Sequence, residues 1–286
     1  MSRVESSQKG HPTLLTCAQL PARSSDVRIV VVTHEAAESI GSCLDSVYTS
    51  WPSSLAVDVV VVDNASRDGT ANLVAERFPN VSVIRSPRRR GFSANVNQGA
   101  RNSTARHLLI LNPDARLVPG TLEAMIDHLD ANPGVGAVGP RLFHQDGSPQ
   151  SSARRFPNPW AALVRRTPLR ILWPHSRLEH RHLMRDVDLR GVETVDWILG
   201  AVLAVRGTAF RQLGGFDENY RLYCEDIDLC WRLRQAGWSV DIMADVSAEH
   251  DLGELTRKRF FVRAQLWHFR SMFRFLRLHG LAPIAR

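Results

Sequence analysis

The sequence predicts an α/β fold with a mostly parallel central sheet flanked by helices, and three observations carry that expectation. Runs at 27–33, 57–62, 81–84 and 107–111 are β-branched or leucine-rich and almost continuously apolar, as in strands covered on both faces. Segments with helical spacing separate them, and such alternation implies parallel strands joined by right-handed crossovers. The strand ends carry Thr33-His34-Glu35, Asp63-Asn64 and Asn112-Pro113-Asp114. Polar and acidic groups therefore collect along one edge, where sheets of this kind bind ligands.

In chain order, Val27–Thr33 is the first strand, and Ala36–Tyr48 places Ile40, Leu44 and Val47 on one helical face. Val57–Val62 is the second strand. Asp68-Gly69-Thr70 opens a helix that runs through Phe78, and Val81–Ile84 is a short third strand. Ser93–Asn102 is a helix and His107–Leu111 the fourth strand. Further on, Thr121–Leu129 is helical and Val135–Val138 extended. Residues 144–190, rich in Arg, Pro and His, predict long loops. Thr194–Val205 holds a strand or a short helix around Trp197, and Thr208–Gly214 a helical turn. Asp226–Ala236 is a helix with Ile227, Leu229, Cys230 and Leu233 available for its buried side, and Val240–Ala248 reads as a strand.

Composition narrows the function classes. The 286 residues are 44% hydrophobic and 23% charged, ordinary for a globular protein. The net charge of +7 is local: residues 251–286 hold eight basic against two acidic side chains, leaving the body balanced. With no nucleic-acid-binding signature beside it, the charge does not predict a nucleic-acid partner. No apolar run approaches the roughly 20 residues of a membrane span. Thr13–Leu20 lacks the pattern of a signal peptide. Cys17, Cys43, Cys224 and Cys230 form no CxxC pair, which predicts buried or free thiols and a cytoplasmic protein.

Three features bear on chemistry. Asp63, at a strand end, can accept hydrogen bonds from a nucleobase or ribose, or simply close an Asx turn. Asp114, in Asn112-Pro113-Asp114, supplies the hard oxygen that Mg2+ or Mn2+ prefers, although Asn-Pro also initiates turns. Glu225, Asp226 and Asp228 crowd a helix start. The helix dipole favours acids there, but mutual repulsion also raises pKa values into the range useful to a general base. His175, His180 and His182 lack a Cys or carboxylate at ligand spacing and read as solvated.

Taken in order, VVVTHE (30–35), VVVVDNASRDGT (59–70), RGFSANVNQGA (90–100), LILNPDARL (109–117), GGFDENYRLYCEDIDLCWRLRQAGW (214–238) and AEH (248–250) carry a resemblance. The chain from about Val27 to His250 resembles family 2 glycosyltransferases of the GT-A fold. DGSPQSSARRFPNP (146–159) and VDWILGAVLAVR (195–206) make it most similar to bacterial dTDP-rhamnosyltransferases of cell-wall and surface-polysaccharide synthesis. Residues 1–26, polar and without periodicity, predict a flexible lead-in, and the resemblance implies a transferase domain at 27–250. Within that domain, 27–118 would bind the nucleotide-sugar and 119–250 the acceptor.

It also implies roles by position. Thr33, Glu35 and Asp63 would hold the nucleoside, with Gly91 and Asn95 near the nucleotide and its diphosphate. Asp114 matches the last acid of the family's metal-binding DxD motif, and His250 a histidine that helps hold metal or diphosphate. Asp226 matches the catalytic base, while Trp197, Gly200 and Glu225 fall at the acceptor pocket. The implied partners are a dTDP- or UDP-sugar donor and a lipid-linked or glycan acceptor. The chain departs from the pattern at His34-Glu35, where Tyr-Asn is common. It departs again at Asn112, in place of the first DxD acid, and at Glu254, in place of Ser or Thr. The alternatives are a UDP-hexose donor or a nucleotide-sugar-binding module without catalysis; the retained Glu225-Asp226 and Asp114 weigh against the latter.

Residues 251–286 form a separate basic segment. Within Thr256–His279, Val262, Leu266, Phe269, Phe273 and Leu276 share a helical face, with Arg259, Arg263, Arg270, Arg274 and Arg277 on the other sides. Such a helix suits peripheral contact with the inner face of a cell membrane, or docking on the domain with its arginines in solvent.

Overall fold

The computed structural model describes residues 25–156, 177–251 and 261–280. Residues 1–24 of the expected lead-in, His175 and Glu254 lie outside the described residues. Four strands, β1 (Val27–Thr33), β2 (Val57–Asp63), β3 (Ser82–Arg85) and β4 (His107–Leu111), run parallel in the order β3-β2-β1-β4. The sheet continues through β10 (Val202–Arg206), β6 (Val135–Phe143), β11 (Ser239–His250) and β5 (Ala115–Leu117), with β8 (Val192–Thr194) pairing β11 off that path. β10 is antiparallel to both of its neighbours, so the sheet is mixed. A separate ladder joins β7 (Ala153–Arg154) to β9 (Trp197–Ile198).

Helices cover both faces, which is why the strands read as unbroken apolar runs. Val27, Ile29 and Val31 of β1 join the core formed with α1 (Ile40–Thr49), α2 (Thr70–Arg77) and α4 (Thr121–Ala131). Val30 and Val32, on the opposite face, pack with α3 (Phe92–Ala100), α6 (Gly207–Gln212), α7 (Glu225–Gln235) and α8 (Phe261–His279). The charged residue inside β1, Arg28, is buried and paired at 2.6 Å with Asp58, its register partner on β2. The expected buried side of α7 is present: Ile227, Leu229, Cys230 and Leu233 are all buried. Cys43, Cys224 and Cys230 are buried and not disulfide-bonded.

Several boundaries differ for local reasons. α1 starts at Ile40 rather than Ala36, and the backbone N–H groups of Ala36 and Ala37 ahead of it donate to the Thr70 hydroxyl and the Asp68 carboxylate. α2 starts at Thr70 because Gly69 adopts φ 87°, a left-handed conformation that favours glycine. β6 runs on to Phe143 because β11 pairs with it beyond Val138. Residues 194–205 resolve into two strands, β9 and β10, separated at Gly200. The stretch 144–190 is not loop throughout: it contains β7 and the short helix α5 (Arg177–His182), while 157–176 lie outside the described residues. His180 is exposed as expected, but His182 is half-buried with its ring 6.3 Å from Trp197.

Candidate active site

The carboxyl ends of β1, β2 and β4 open on two adjoining cavities that share His34 and Arg89. The wider one, about 1030 Å³, is lined by Glu35, Asp63, Ser66, Arg85 and Arg88 among others. Asp63 is 3% exposed. One of its oxygens accepts from the Ser66 N–H at 3.2 Å, while Oδ1 is buried with no hydrogen-bond partner among the described residues. A buried carboxylate oxygen left in that state calls for an external donor such as a base N–H or a ribose hydroxyl. Glu35 sits at the rim, exposed and at φ 54°, with one oxygen accepting from the Arg67 N–H.

The second cavity, about 280 Å³, is lined by Thr33, Asn112, Asp114, Gly200, Glu225, Asp226 and His250, together with Arg89, Arg221, Tyr223 and Trp267. Thr33 is fully buried, and its hydroxyl also has no partner among the described residues. Asp114 Oδ1 lies 3.5 Å from His250 Nε2, and the Asn112 amide nitrogen 3.3 Å from the same ring atom. Gln150 sets the histidine tautomer. Its amide N–H donates to the His250 carbonyl, so its Oε1 accepts from His250 Nδ1–H at 3.1 Å. Nε2, the remaining ring nitrogen, then accepts from the Asn112 amide N–H at 3.3 Å and faces Asp114.

One carboxylate oxygen and one imidazole nitrogen suit a divalent cation that takes its remaining ligands from phosphate and water. The described residues hold no group of three or more His, Cys, Asp and Glu side chains able to bind a metal by itself.

Across the cavity, α7 begins after two residues in left-handed conformations, Tyr223 at φ 69° and Cys224 at φ 64°. That tight turn aims the first helical residues at the cleft. Asp226 Oδ2 accepts from the Gly200 N–H at 3.1 Å and Oδ1 from the Ile227 N–H at 2.9 Å. Burial raises its pKa, against the pull of these N–H groups and of the Arg154 charge. Glu225 is 8% exposed, with Oε2 lacking a hydrogen bond among the described residues. Burial first, and the neighbouring Asp226 second, push its pKa up to about 8. The N–H donors favour the charged form of Asp226, so of the two carboxyl groups Glu225 holds its proton more tightly.

Other expected residues sit elsewhere. Trp197 is 3% exposed, donates to the Arg155 carbonyl at 2.9 Å, and does not line the cleft; it is a core residue of β9. Asn95 is fully buried, with its amide committed to the Gly91 carbonyl and the Ser86 hydroxyl. Gly91 lines neither cavity. Both residues brace the 86–91 loop from behind. Asp228 is buried against Arg232, Tyr220 and His279 and ties α7 to α8.

Sequence reasoning missed Gln150, Arg89, Arg221 and the placement of Trp267. Arg88-Arg89-Arg90 was a readable signal, a basic triplet after a strand in an otherwise balanced body. Gln150 was not, because it reaches His250 across 100 positions.

The family model for glycosyl transferase family 2 matches residues 28–187. The chain belongs to that family. Among its relatives is the N-acetylglucosaminyl-diphospho-decaprenol L-rhamnosyltransferase of Mycobacterium tuberculosis (strain ATCC 25618 / H37Rv). The two are 34% identical over 196 residues, which span 64% of this chain and 62% of that protein. Rhamnosyltransferase WbbL of Escherichia coli (strain K12) is 42% identical over 82 residues, 29% of this chain and 31% of its own. The chain thus spans less than two thirds of the length of either relative.

A solved mannosyltransferase, PcManGT from Pyrobaculum calidifontis in complex with GDP-Man and Mn2+, superposes with a TM-score of 0.60 at 22% identity, covering 93% of this chain and 70% of that one. GalNAc-T7 with UDP, GalNAc and Mn2+ gives 0.61 at 14% identity, covering 83% and 46%. At these identities the likeness is one of fold, and the fold of this family 2 chain is GT-A.

Proposed function

We propose that this chain is an inverting, metal-dependent glycosyltransferase that moves a sugar from a nucleotide donor to an acceptor hydroxyl. The observation that carries the reading is the convergence of Asp226, Asp114 and His250 on one cleft, beside a second cavity walled by the unsatisfied carboxylate of Asp63. Asp63 and Thr33 present acceptor atoms to the nucleoside. Asp114 and His250 would hold Mg2+ or Mn2+ against the diphosphate. Such an ion, when bound, stabilises the negative charge that develops on the departing nucleoside diphosphate.

Asp226, held by the Gly200 and Ile227 N–H groups, takes the proton of the attacking hydroxyl. One base and one in-line displacement invert the anomeric centre, and no second carboxylate is needed as a covalent nucleophile. Glu225, protonated beside it, can donate a hydrogen bond to the acceptor. The donor we favour is dTDP-rhamnose, and the acceptor a polyprenyl-diphosphate-linked or polysaccharide glycan. Both are supported by the rhamnosyltransferase relatives, one of which is named for a diphospho-decaprenol acceptor.

The test is a donor panel of dTDP-rhamnose and UDP-sugars, each with a polyprenyl-diphosphate sugar acceptor, scored for nucleoside diphosphate release. Release from dTDP-rhamnose that needs both Mg2+ or Mn2+ and the acceptor supports the reading. No release from any donor refutes it.

A further inference from the structure

Among the described residues, the C-terminal helix α8 packs on the domain through one flank. His268 stacks near Tyr223 with ring centroids 5.4 Å apart, and Ser271 donates to the Leu222 carbonyl at 2.9 Å. Arg274 pairs with Asp217 at 2.6 Å, Phe275 is 2% exposed against Trp231, and His279 reaches Asp228 at 2.8 Å. At 100° per residue these positions define one flank. The opposite arc, about 100° wide, holds Leu266, Phe269, Arg270, Phe273 and Arg277, all exposed. Phe273 is 70% exposed, Leu266 51% and Phe269 50%. The sequence reading put the arginines and the apolar residues on separate sides. In the fold Arg274 turns inward to Asp217, while Arg270 and Arg277 share the outward arc with the phenylalanines.

Large apolar side chains held in solvent on one helix face mark an interaction surface. Interleaved arginines, in a segment carrying eight basic against two acidic residues, give that surface a sign. We infer that the outward arc of α8 lies on an anionic lipid bilayer, with Leu266 and Phe273 in the acyl–headgroup boundary and Arg270 and Arg277 against lipid phosphates. No helix among the described residues is long and apolar enough to cross a membrane, so the contact is interfacial. Trp267, the neighbour of Leu266, lines the catalytic cleft and stacks under Arg221 at 4.9 Å. The same helix therefore places the cleft beside the lipid surface. This has a use only if the acceptor is lipid-linked, and to that extent the inference rests on the reading above.

The full-length protein is floated with vesicles of phosphatidylcholine alone or of phosphatidylcholine with phosphatidylglycerol. Wild type is expected to float with the anionic vesicles and to remain below with the neutral ones. Phe273→Glu should lower the bound fraction roughly tenfold or more, since it removes one deeply inserted side chain. Arg270→Glu with Arg277→Glu should abolish the preference for anionic lipid. Circular dichroism and dTDP or UDP affinity serve as controls and should not change. Failure to float with anionic vesicles overturns the inference, as does wild-type binding by Phe273→Glu or equal binding to both vesicles. A dimer that Phe273→Glu disperses, without vesicle binding, also overturns it and assigns the arc to a second copy of the chain. A protein that floats but releases no nucleoside diphosphate refutes the transferase reading and leaves this one standing.

Discussion

Glu225 and Asp226 are adjacent in the chain and occupy different electrical environments. Asp226 has two backbone donors, whereas Glu225 has a buried oxygen with no hydrogen bond among the described residues. Asp226→Asn keeps the shape and removes the base. Transfer should fall by about 10²–10⁴-fold in kcat, with donor affinity by calorimetry unchanged; lost donor binding would mean a structural role. The folded protein keeps Glu225 protonated up to about pH 8, while the unfolded chain releases that proton near the ordinary glutamate value. Across this window the native state binds more protons, so this residue's contribution to stability falls as pH rises. The melting temperature of wild type should therefore decline through the window more steeply than that of Glu225→Gln, and parallel curves would exclude the assignment. Gln150→Leu frees the His250 tautomer and should weaken Mn2+-dependent dTDP or UDP binding roughly 10–100-fold, with metal-free binding unaltered. The acid cluster at 225–228 and the strand-end Asp63 and Asp114 were legible because helix starts and strand ends advertise themselves locally. Gln150 was not: it acts through hydrogen bonds to His250, 100 positions along the chain.

At the scale of elements, the 86–91 loop shows how a site wall is fixed. Asn64 imitates a strand partner, accepting from the Arg90 N–H at 2.8 Å and donating to the Arg90 carbonyl at 3.0 Å. Asn95 holds the loop from behind, and the Phe92 N–H donates to the Arg221 carbonyl at 3.1 Å, linking the loop to the turn that precedes α7. Gly91 makes that closeness possible: a Cβ there would meet Arg221 Cα at 3.0 Å and the Tyr220 carbonyl at 3.1 Å, both backbone atoms. Gly91→Ala should cost about 1–3 kcal/mol of stability by overpacking, read from the urea midpoint, and should shift Arg221. The motif RGFSANVNQGA pointed to nucleotide contacts by resemblance. In the fold, Gly91 and Asn95 shape the loop whose arginines face the cavities.

For the whole molecule, the first four strands were readable because burial on both faces leaves continuous apolar runs. The rest of the sheet was not, since the reversal at β10 depends on pairing between residues about 90 positions apart. The Arg28–Asp58 pair, with side chains 1% and 6% exposed, pins β1 to β2 within that sheet. Asp58→Ala leaves a buried guanidinium without its counter-ion and should destabilise the fold by about 3–5 kcal/mol, measured by chemical denaturation.

The reversed strand also has a bearing on engineering. Because β10 pairs with β4 in fixed register, Val202 to Leu111 through Arg206 to His107, and the Ala201 carbonyl accepts from the Asn112 N–H, Gly200 sits beside the Asn112–Asp114 turn. Spacing between the metal-side groups and the Asp226 anchor is thus dictated by a ladder of main-chain contacts rather than by a hinge. Chimeras meant to exchange donor or acceptor preference should move 107–114 and 200–206 as a unit from one parent. A seam cut between them, even by a single inserted residue, would put the strand out of phase and separate the groups that must meet.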